Sequence, residues 1–168
     1  MDPESEHNPV SVTLRQVTTD DLGVFFAHQL DPEANLMAGF TTKDPTDREA
    51  FMAHWEKITA DEMITIRTIL YEDRIAGYLL CHNWFGEPEV SYWIGKKFWG
   101  KGIATRALRE FLNLLPARPL YARAAKDNAA SIRVLDKCGF RIHDEDRGYA
   151  SARGGEIEEY IMILDPGA

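Results

Sequence analysis

Cysteine is scarce in this chain, with only Cys81 and Cys138 among 168 residues. Two thiols so placed offer no metal-ligand spacing and build no disulfide framework. They suit small buried side chains in a reducing cytoplasm. Long apolar runs are missing too: none approaches the roughly 20 residues that cross a bilayer. The opening MDPESEHNPV lacks the basic start and apolar stretch of a secretion signal, so residues 1–9 are expected to form a short, flexible acidic tail. Positive charge is in deficit, since 19 basic against 27 acidic residues leave a net −8. That balance argues against a nucleic-acid surface and suits a cationic partner. Repeats, low-complexity tracts and linkers do not occur. What is there, 45% hydrophobic residues, is enough for a single domain with a sizeable core over residues 10–168.

The most informative stretch is Phe98 to Leu108, FWGKGIATRAL. It follows a strand expected from Glu89 to Ile94 and runs directly into a helix. Gly100, Gly102 and Ala104 leave the backbone bare at that transition. Bare N–H groups at the positive end of a helix dipole make an anion site, so a phosphorylated ligand is the first expectation. Gly95 to Gly102 also fits the start of a nucleotide-triphosphatase loop, G-x-x-x-x-G-K. The magnesium-holding Ser or Thr is replaced there by Gly102, however, and Phe98 and Trp99 crowd the loop. A dinucleotide fingerprint fails at its third glycine, which is Thr105. A plain strand-to-helix turn without ligand remains open from this segment alone.

Along the chain, Val10 to Gln16 alternates as a strand, and helices are expected from Thr19 through Leu30 and from about Thr46 to Thr59. The residues between them, Asp31 to Asp44, read as a loop because Asp31-Pro32 breaks the first helix. Met63 to Tyr71 and Arg74 to Cys81 form a hairpin, followed by the Glu89 strand and a helix from Gly102 to Leu115 that Pro116 ends. Leu120 to Ala124 is a short strand. Asn128 to Phe140 is a helix, capped by Asp127 or Asn128 and closed by Gly139. Arg141 to Tyr149 and Glu156 to Leu164 close the chain as a hairpin. Periodicity alone gives an α/β or α+β class with order β-α-α-β-β-β-α-β-α-β-β.

Taken together, FWGKGIATRAL and Asn128–Phe140 resemble the GNAT N-acetyltransferase superfamily. Trp99, Gly102 and Ala104 match its (Arg/Gln)-x-x-G-x-(G/A) coenzyme A loop, with Trp99 in place of Arg or Gln. Asn128, Ser131 and Gly139-Phe140 match its N-x-x-(A/S)…G-F helix. WGKGIAT and the Glu89, Ser91, Tyr92, Trp93 pattern are closest to the subgroup that acetylates ribosomal-protein N-termini, the Rim type. The likeness spans the chain from about Arg74 onward. It implies a central mixed, mostly antiparallel sheet of six to seven strands flanked by about four helices. It also implies an acetyl-coenzyme A-dependent transferase that acetylates a primary amine by direct attack in a ternary complex, without a metal.

By the same resemblance, pantetheine lies beside Tyr92, Trp93 and Ile94, where that strand splays from Leu120–Ala124. The N–H groups of Gly100, Lys101, Gly102, Ile103 and Ala104 hold the pyrophosphate, with charge added by Lys101, and Trp99 and Thr105 also belong to the cofactor site. Asn128 bonds the pantetheine arm, and Ser131 lies near the thiol end or the phosphate. Glu89 is the expected base, acting through water, since an alkylamine is less than about 0.1% neutral at pH 7. The tyrosine that often protonates the leaving thiolate is Leu135 here, so the proton comes from Ser131, a water or the acceptor ammonium. The acceptor pocket is expected from the first two helices, their loop and the last hairpin. Phe40, Trp55, Trp84 and Phe85 either line it or pack in the core. His28, His54, His82 and His143 show no partner pattern. A homodimer through a sheet edge is plausible. A non-catalytic acyl-coenzyme A module and a nucleotide-binding regulatory domain are the alternatives.

Overall fold

The computed structural model describes residues 11–84 and 86–167; the expected tail at residues 1–9 and Phe85 lie outside them. The described elements run β1 (Val12–Arg15), α1 (Asp21–Gln29), α2 (Pro32–Ala38), α3 (Arg48–Ala60), β2 (Thr65–Tyr71), β3 (Arg74–His82), β4 (Glu89–Ile94), α4 (Ile103–Leu112), β5 (Leu120–Ala125), α5 (Ala129–Lys137), β6 (Arg141–Ala150) and β7 (Gly155–Leu164). The strands form one seven-stranded sheet in the order β1-β2-β3-β4-β5-β7-β6. Neighbours are antiparallel except β4 and β5. No helix among the described residues is long and apolar enough to cross a membrane.

Alternation along each strand feeds two cores, one on each face of the sheet. On β3, Leu79 and Cys81 join a core with Phe98, Ile103, Leu108 and Phe111 beneath α4 and Leu135 beneath α5. Tyr78 and Leu80, the intervening residues, join Phe25 and Phe26 of α1 and Phe51, Trp55 and Ile58 of α3. The start of α1 is tied to the sheet by Asp21, which is 1% exposed. Its carboxylate accepts from both terminal nitrogens of Arg15 at 2.6 and 2.8 Å, from Thr18 N–H at 2.9 Å and from the Thr68 hydroxyl at 2.7 Å. Burial alone would raise this carboxyl, but those donors outweigh it and hold it well below the usual carboxylate range.

Several element ends differ from the sequence reading, and one helix was not expected. The Asp31–Asp44 loop contains a helix, α2, which brings the helices among the described residues to five instead of about four. Asp31 both ends α1 and caps α2 by accepting from Ala34 N–H at 3.0 Å, and Pro32 sits at the first helical turn. A proline that stops one helix suits the first turn of the next, where its missing N–H costs nothing. α4 also ends at Leu112, before the expected Leu115, although Leu115 remains buried.

Between β4 and β5 the only register pair is Glu89 with Tyr121. Beyond Glu89 the two parallel strands separate, and β4 keeps its ladder with β3 alone, through Gly77–Ile94. That gap in the sheet positions everything that follows.

Candidate active site

The loop after β4 is fixed at both ends. Gly95 N–H donates to Ala76 O at 2.8 Å, and the Lys96–Phe98 turn buries Phe98 to 2% exposure. Gly100 and Gly102 have φ of 75° and 76°, and a Cβ on either would meet nothing within 4 Å. They are glycines for their left-handed backbone, and their open side faces space. Gly102 sits at the N-cap of α4 without a side-chain cap, so the first N–H groups of a ten-residue helix are left for an anion. This end of α4 opens on a cleft of about 430 Å³ lined by α2, β4, the glycine loop and α5. Bare N–H groups at a helix start beside an unpaired strand edge fit a pyrophosphate joined to an amide-bearing arm.

Helix α5 supplies the facing wall. Asn128 caps it, accepting from Ser131 N–H at 3.2 Å. Asp127, the other expected cap, is instead forked by Arg153 at 2.7 and 2.8 Å. Arg153 lies in the β6–β7 turn and also donates to Leu36 O at 2.5 Å, so one guanidinium joins α2 to the start of α5. Ser131 Oγ is 3.1 Å from the Tyr92 hydroxyl of β4. Burial pushes the Tyr92 phenol up to about 12, with the Ser131 hydrogen bond opposing and Cys138 adding to the rise. Tyr92 is therefore protonated at neutral pH, and either hydroxyl of the pair can donate.

A second cavity, of about 540 Å³, lies on the α1–α3 side of the same gap. Ala38, Tyr92, Trp93, Asn128 and Ser131 line both cavities, so these residues mark where the two meet. In the second cavity Glu89 is 9% exposed, with Arg123 Nε at 3.1 Å and His82 Nε2 at 3.4 Å. Arg123 also donates to Glu159 at 2.8 Å and to Asp146 at 3.1 Å. Burial raises the Glu159 carboxyl, against the pull of Arg123. Trp84 N–H donates to His82 Nδ1 at 3.3 Å. That leaves Nε2 as the His82 atom that faces Glu89.

The family model for the acetyltransferase (GNAT) domain matches residues 11–141, most of the chain. This chain is a GNAT acetyltransferase. YdaF of Bacillus subtilis (strain 168), which carries a ribosomal N-acetyltransferase assignment, is 31% identical to the GNAT chain over 127 residues, 70% of this chain and 69% of YdaF. The uncharacterized N-acetyltransferase p20 of Bacillus licheniformis is 22% identical over 91% of this chain and 92% of its own. The fold is shared with the spermidine N-acetyltransferase of Vibrio cholerae, solved with coenzyme A and spermine, at TM-score 0.78 and 15% identity over 91% and 94% of the two chains. It is shared also with Mycobacterium smegmatis RimJ, solved with coenzyme A-disulfide, at TM-score 0.76 and 22% identity over 92% and 82%. The likeness to YdaF agrees with a place in the Rim-like branch of the GNAT enzymes.

Within this GNAT site the expected residues fall into three groups. Tyr92, Trp93, Ile94, Trp99, Gly100, Gly102, Ile103, Ala104, Thr105, Asn128 and Ser131 line the first cleft, and Glu89 lines the second cavity. Lys101 is exposed and does not line the cleft. Trp99 lines it, and its indole N–H donates to Ile94 O at 2.9 Å. Phe40, Trp55 and Trp84 line the second cavity, with Glu159 of the last hairpin. Sequence reasoning missed α2, which walls both cavities, and Arg133 and Lys137, basic residues of α5 that line the first. Ala130, Arg133, Val134 and Lys137 recur at the i, i+3, i+4, i+7 spacing of one helix face, a signal present in the sequence. His82 and Arg123 were also missed. The β3–β4 hairpin register pairs His82 with Glu89, so the first was within reach.

Proposed function

We propose that this enzyme transfers acetyl from acetyl-coenzyme A to a primary amine at the junction of the two cavities. The observation that carries the reading is the sharing of Tyr92, Trp93, Asn128 and Ser131 between an anion-binding cleft and a second cavity that holds a carboxylate. The uncapped N–H groups from Gly102 to Thr105 hold the pyrophosphate, Arg133 and Lys137 add positive charge, and the free edge of β4 meets the pantetheine amides. When bound, the thioester supplies the acetyl group and a thiolate leaving group.

Glu89 takes a proton from the acceptor ammonium, through a water, so that a neutral amine is available for attack. Arg123 and His82 hold its carboxylate in place. Ser131 donates a hydrogen bond toward the departing sulfur, and Tyr92 orients that hydroxyl. Leu135, at 2% exposure, offers no proton at the position where many relatives have tyrosine. The compartment that suits this chemistry and two unpaired thiols is the cytoplasm. A homodimer through the sheet edge finds little support, since β1 has four residues and β6 carries Arg141, Asp144, Glu145, Asp146 and Arg147.

The second reading, favoured by Leu135, is a module that binds acyl-coenzyme A without turnover. Thermal-shift measurements with acetyl-coenzyme A and with magnesium-ATP, followed by thiol release against an amine panel, decide among the readings. Stabilisation by acetyl-coenzyme A with amine-dependent thiol release supports the transferase. Stabilisation with every amine inert supports the module, and stabilisation by magnesium-ATP alone overturns both.

A further inference from the structure

The acceptor cavity carries two carboxylates, Glu89 and Glu159, and one guanidinium, Arg123, among its lining residues. Counting histidines as neutral, its formal charge is therefore one net negative. His54, which also lines it, has its imidazole pKa lowered by burial and by Lys57, and so adds no positive charge at neutral pH. Asp146, the third partner of Arg123, is half exposed and lies outside the lining. One net negative charge balances one ammonium. A triamine or tetraamine would leave two or more cations desolvated without partners, a large cost in a low-dielectric space.

The rest of the lining mixes aromatic and aliphatic side chains with polar ones, among them Gln29, Asn35, Thr41, Thr42 and Ser91. Phe51 and Trp55 of α3 are 7% and 2% exposed, Tyr78 of β3 packs edge-on against Trp55 at 4.7 Å, and Phe40 stands at the α2–α3 loop. Trp84 is 50% exposed, yet it is not loose: it stacks on His82 at 3.8 Å and 17°, with His54 edge-on at 6.3 Å. Glu89 and Glu159 are 9% and 7% exposed, whereas Trp84, at 50%, opens to solvent. A ligand entering past Trp84 can set its body against aromatic side chains and a charged tip against the carboxylates. Indole faces favour apolar, aromatic and cationic partners alike, and a cavity of this size is that of a small-molecule site.

We propose that the acceptor is a small primary amine with a single positive charge on an aromatic or similarly apolar body, its nitrogen toward Glu89 and its body against Trp55 and Trp84. This rests on the acetyl-transfer reading above.

The test uses the full chain with saturating acetyl-coenzyme A and three probes: 2-phenylethylamine, spermidine, and a tetrapeptide amide beginning with alanine. The expected kcat/KM for phenylethylamine exceeds that for each of the others by about ten-fold or more. Trp84→Ala, at a half-exposed position that leaves the fold intact, lowers it about ten-fold through the amine KM, with the acetyl-coenzyme A KM unchanged. Phe40→Ala acts in the same direction. Spermidine or the peptide turning over as well as phenylethylamine, or Trp84→Ala leaving the preference intact, overturns the proposal while the transferase stands. Stabilisation by acetyl-coenzyme A with all three probes inert also overturns it. No stabilisation and no thiol release would overturn the transferase reading itself, and this proposal with it.

Discussion

Replacing Tyr92 by Phe removes one oxygen from the junction of the two cavities and little else. That oxygen stands 3.1 Å from Ser131 Oγ. A hydroxyl pair of this kind contributes about 0.5–1.5 kcal/mol net, or roughly 2- to 12-fold in rate if it acts fully in the transition state. The Tyr92 phenol, pushed up to about 12 by burial, is too weak an acid to give its proton outright to a thiolate. With a thiol near 8.5, that transfer is uphill by about 5 kcal/mol. Tyr92 therefore orients Ser131, and its loss should cost on the order of ten-fold in kcat, well short of the roughly 10²–10⁴-fold of a general acid. The assay is steady-state thiol release for Tyr92→Phe, Ser131→Ala and the double variant, with KM measured for both substrates. If the pair acts as a unit, the double variant is no slower than Ser131→Ala beyond about two-fold, and the melting temperature falls by about 2–4 °C at most. Full additivity would refute the coupling. So would a loss above about 100-fold, or an effect confined to the acetyl-coenzyme A KM, which would mark Tyr92 as a plain cofactor contact.

Glu89→Gln should lower kcat/KM by about 10²-fold or more and remove the rate's dependence on deprotonating the base, read from the pH–rate profile; an unchanged profile sinks the assignment. Asp21→Asn should lower stability by about 2–3 kcal/mol, below the range for a fully buried pair because Arg15 is partly exposed, and the melting temperature by roughly 5–10 °C. Because the Asp21 carboxyl is held below its unfolded value, its stabilisation is present above the ordinary carboxylate range and is lost as pH falls through the folded value. The wild type should therefore lose stability in acid more steeply than the variant, as monitored by circular dichroism. At Gly77, an added Cβ would lie 1.9 Å from Trp93 O, a backbone atom. Gly77→Ala must push β3 from β4, which should cost several kcal/mol and weaken acetyl-coenzyme A binding in a thermal-shift titration.

The cofactor side of this fold was largely readable because its signals are local. Gly100 and Gly102 need their backbone conformation, Asn128 caps its helix, and Gly139 closes it, each within a few residues of chain. The acceptor side is assembled from segments far apart in sequence. Arg123 is one polar residue in an otherwise apolar β5 stretch, and nothing near it in the sequence announces Glu89, Asp146 and Glu159 as its partners. Glu89 could be named as a carboxylate at a strand start, but its pairing with a guanidinium could not. Helix α2 escaped for a different reason: Asp31-Pro32 ends one helix and begins another, and the first meaning hides the second.

The fork of Arg153 on Asp127, with its bond to Leu36 O, has a consequence for how the two substrates sense each other. Ala34, Met37 and Ala38 of α2 face the first cleft, while Asn35 and Ala38 face the second. The helix is thus a party wall between two rooms, and Arg153 is the bolt that fastens it to α5. Whatever free energy one tenant gains by setting that wall in place is available to the other, by the same factor in both directions. Acetyl donor and amine are in this sense neighbours who share a partition, and a loosened bolt would make them strangers.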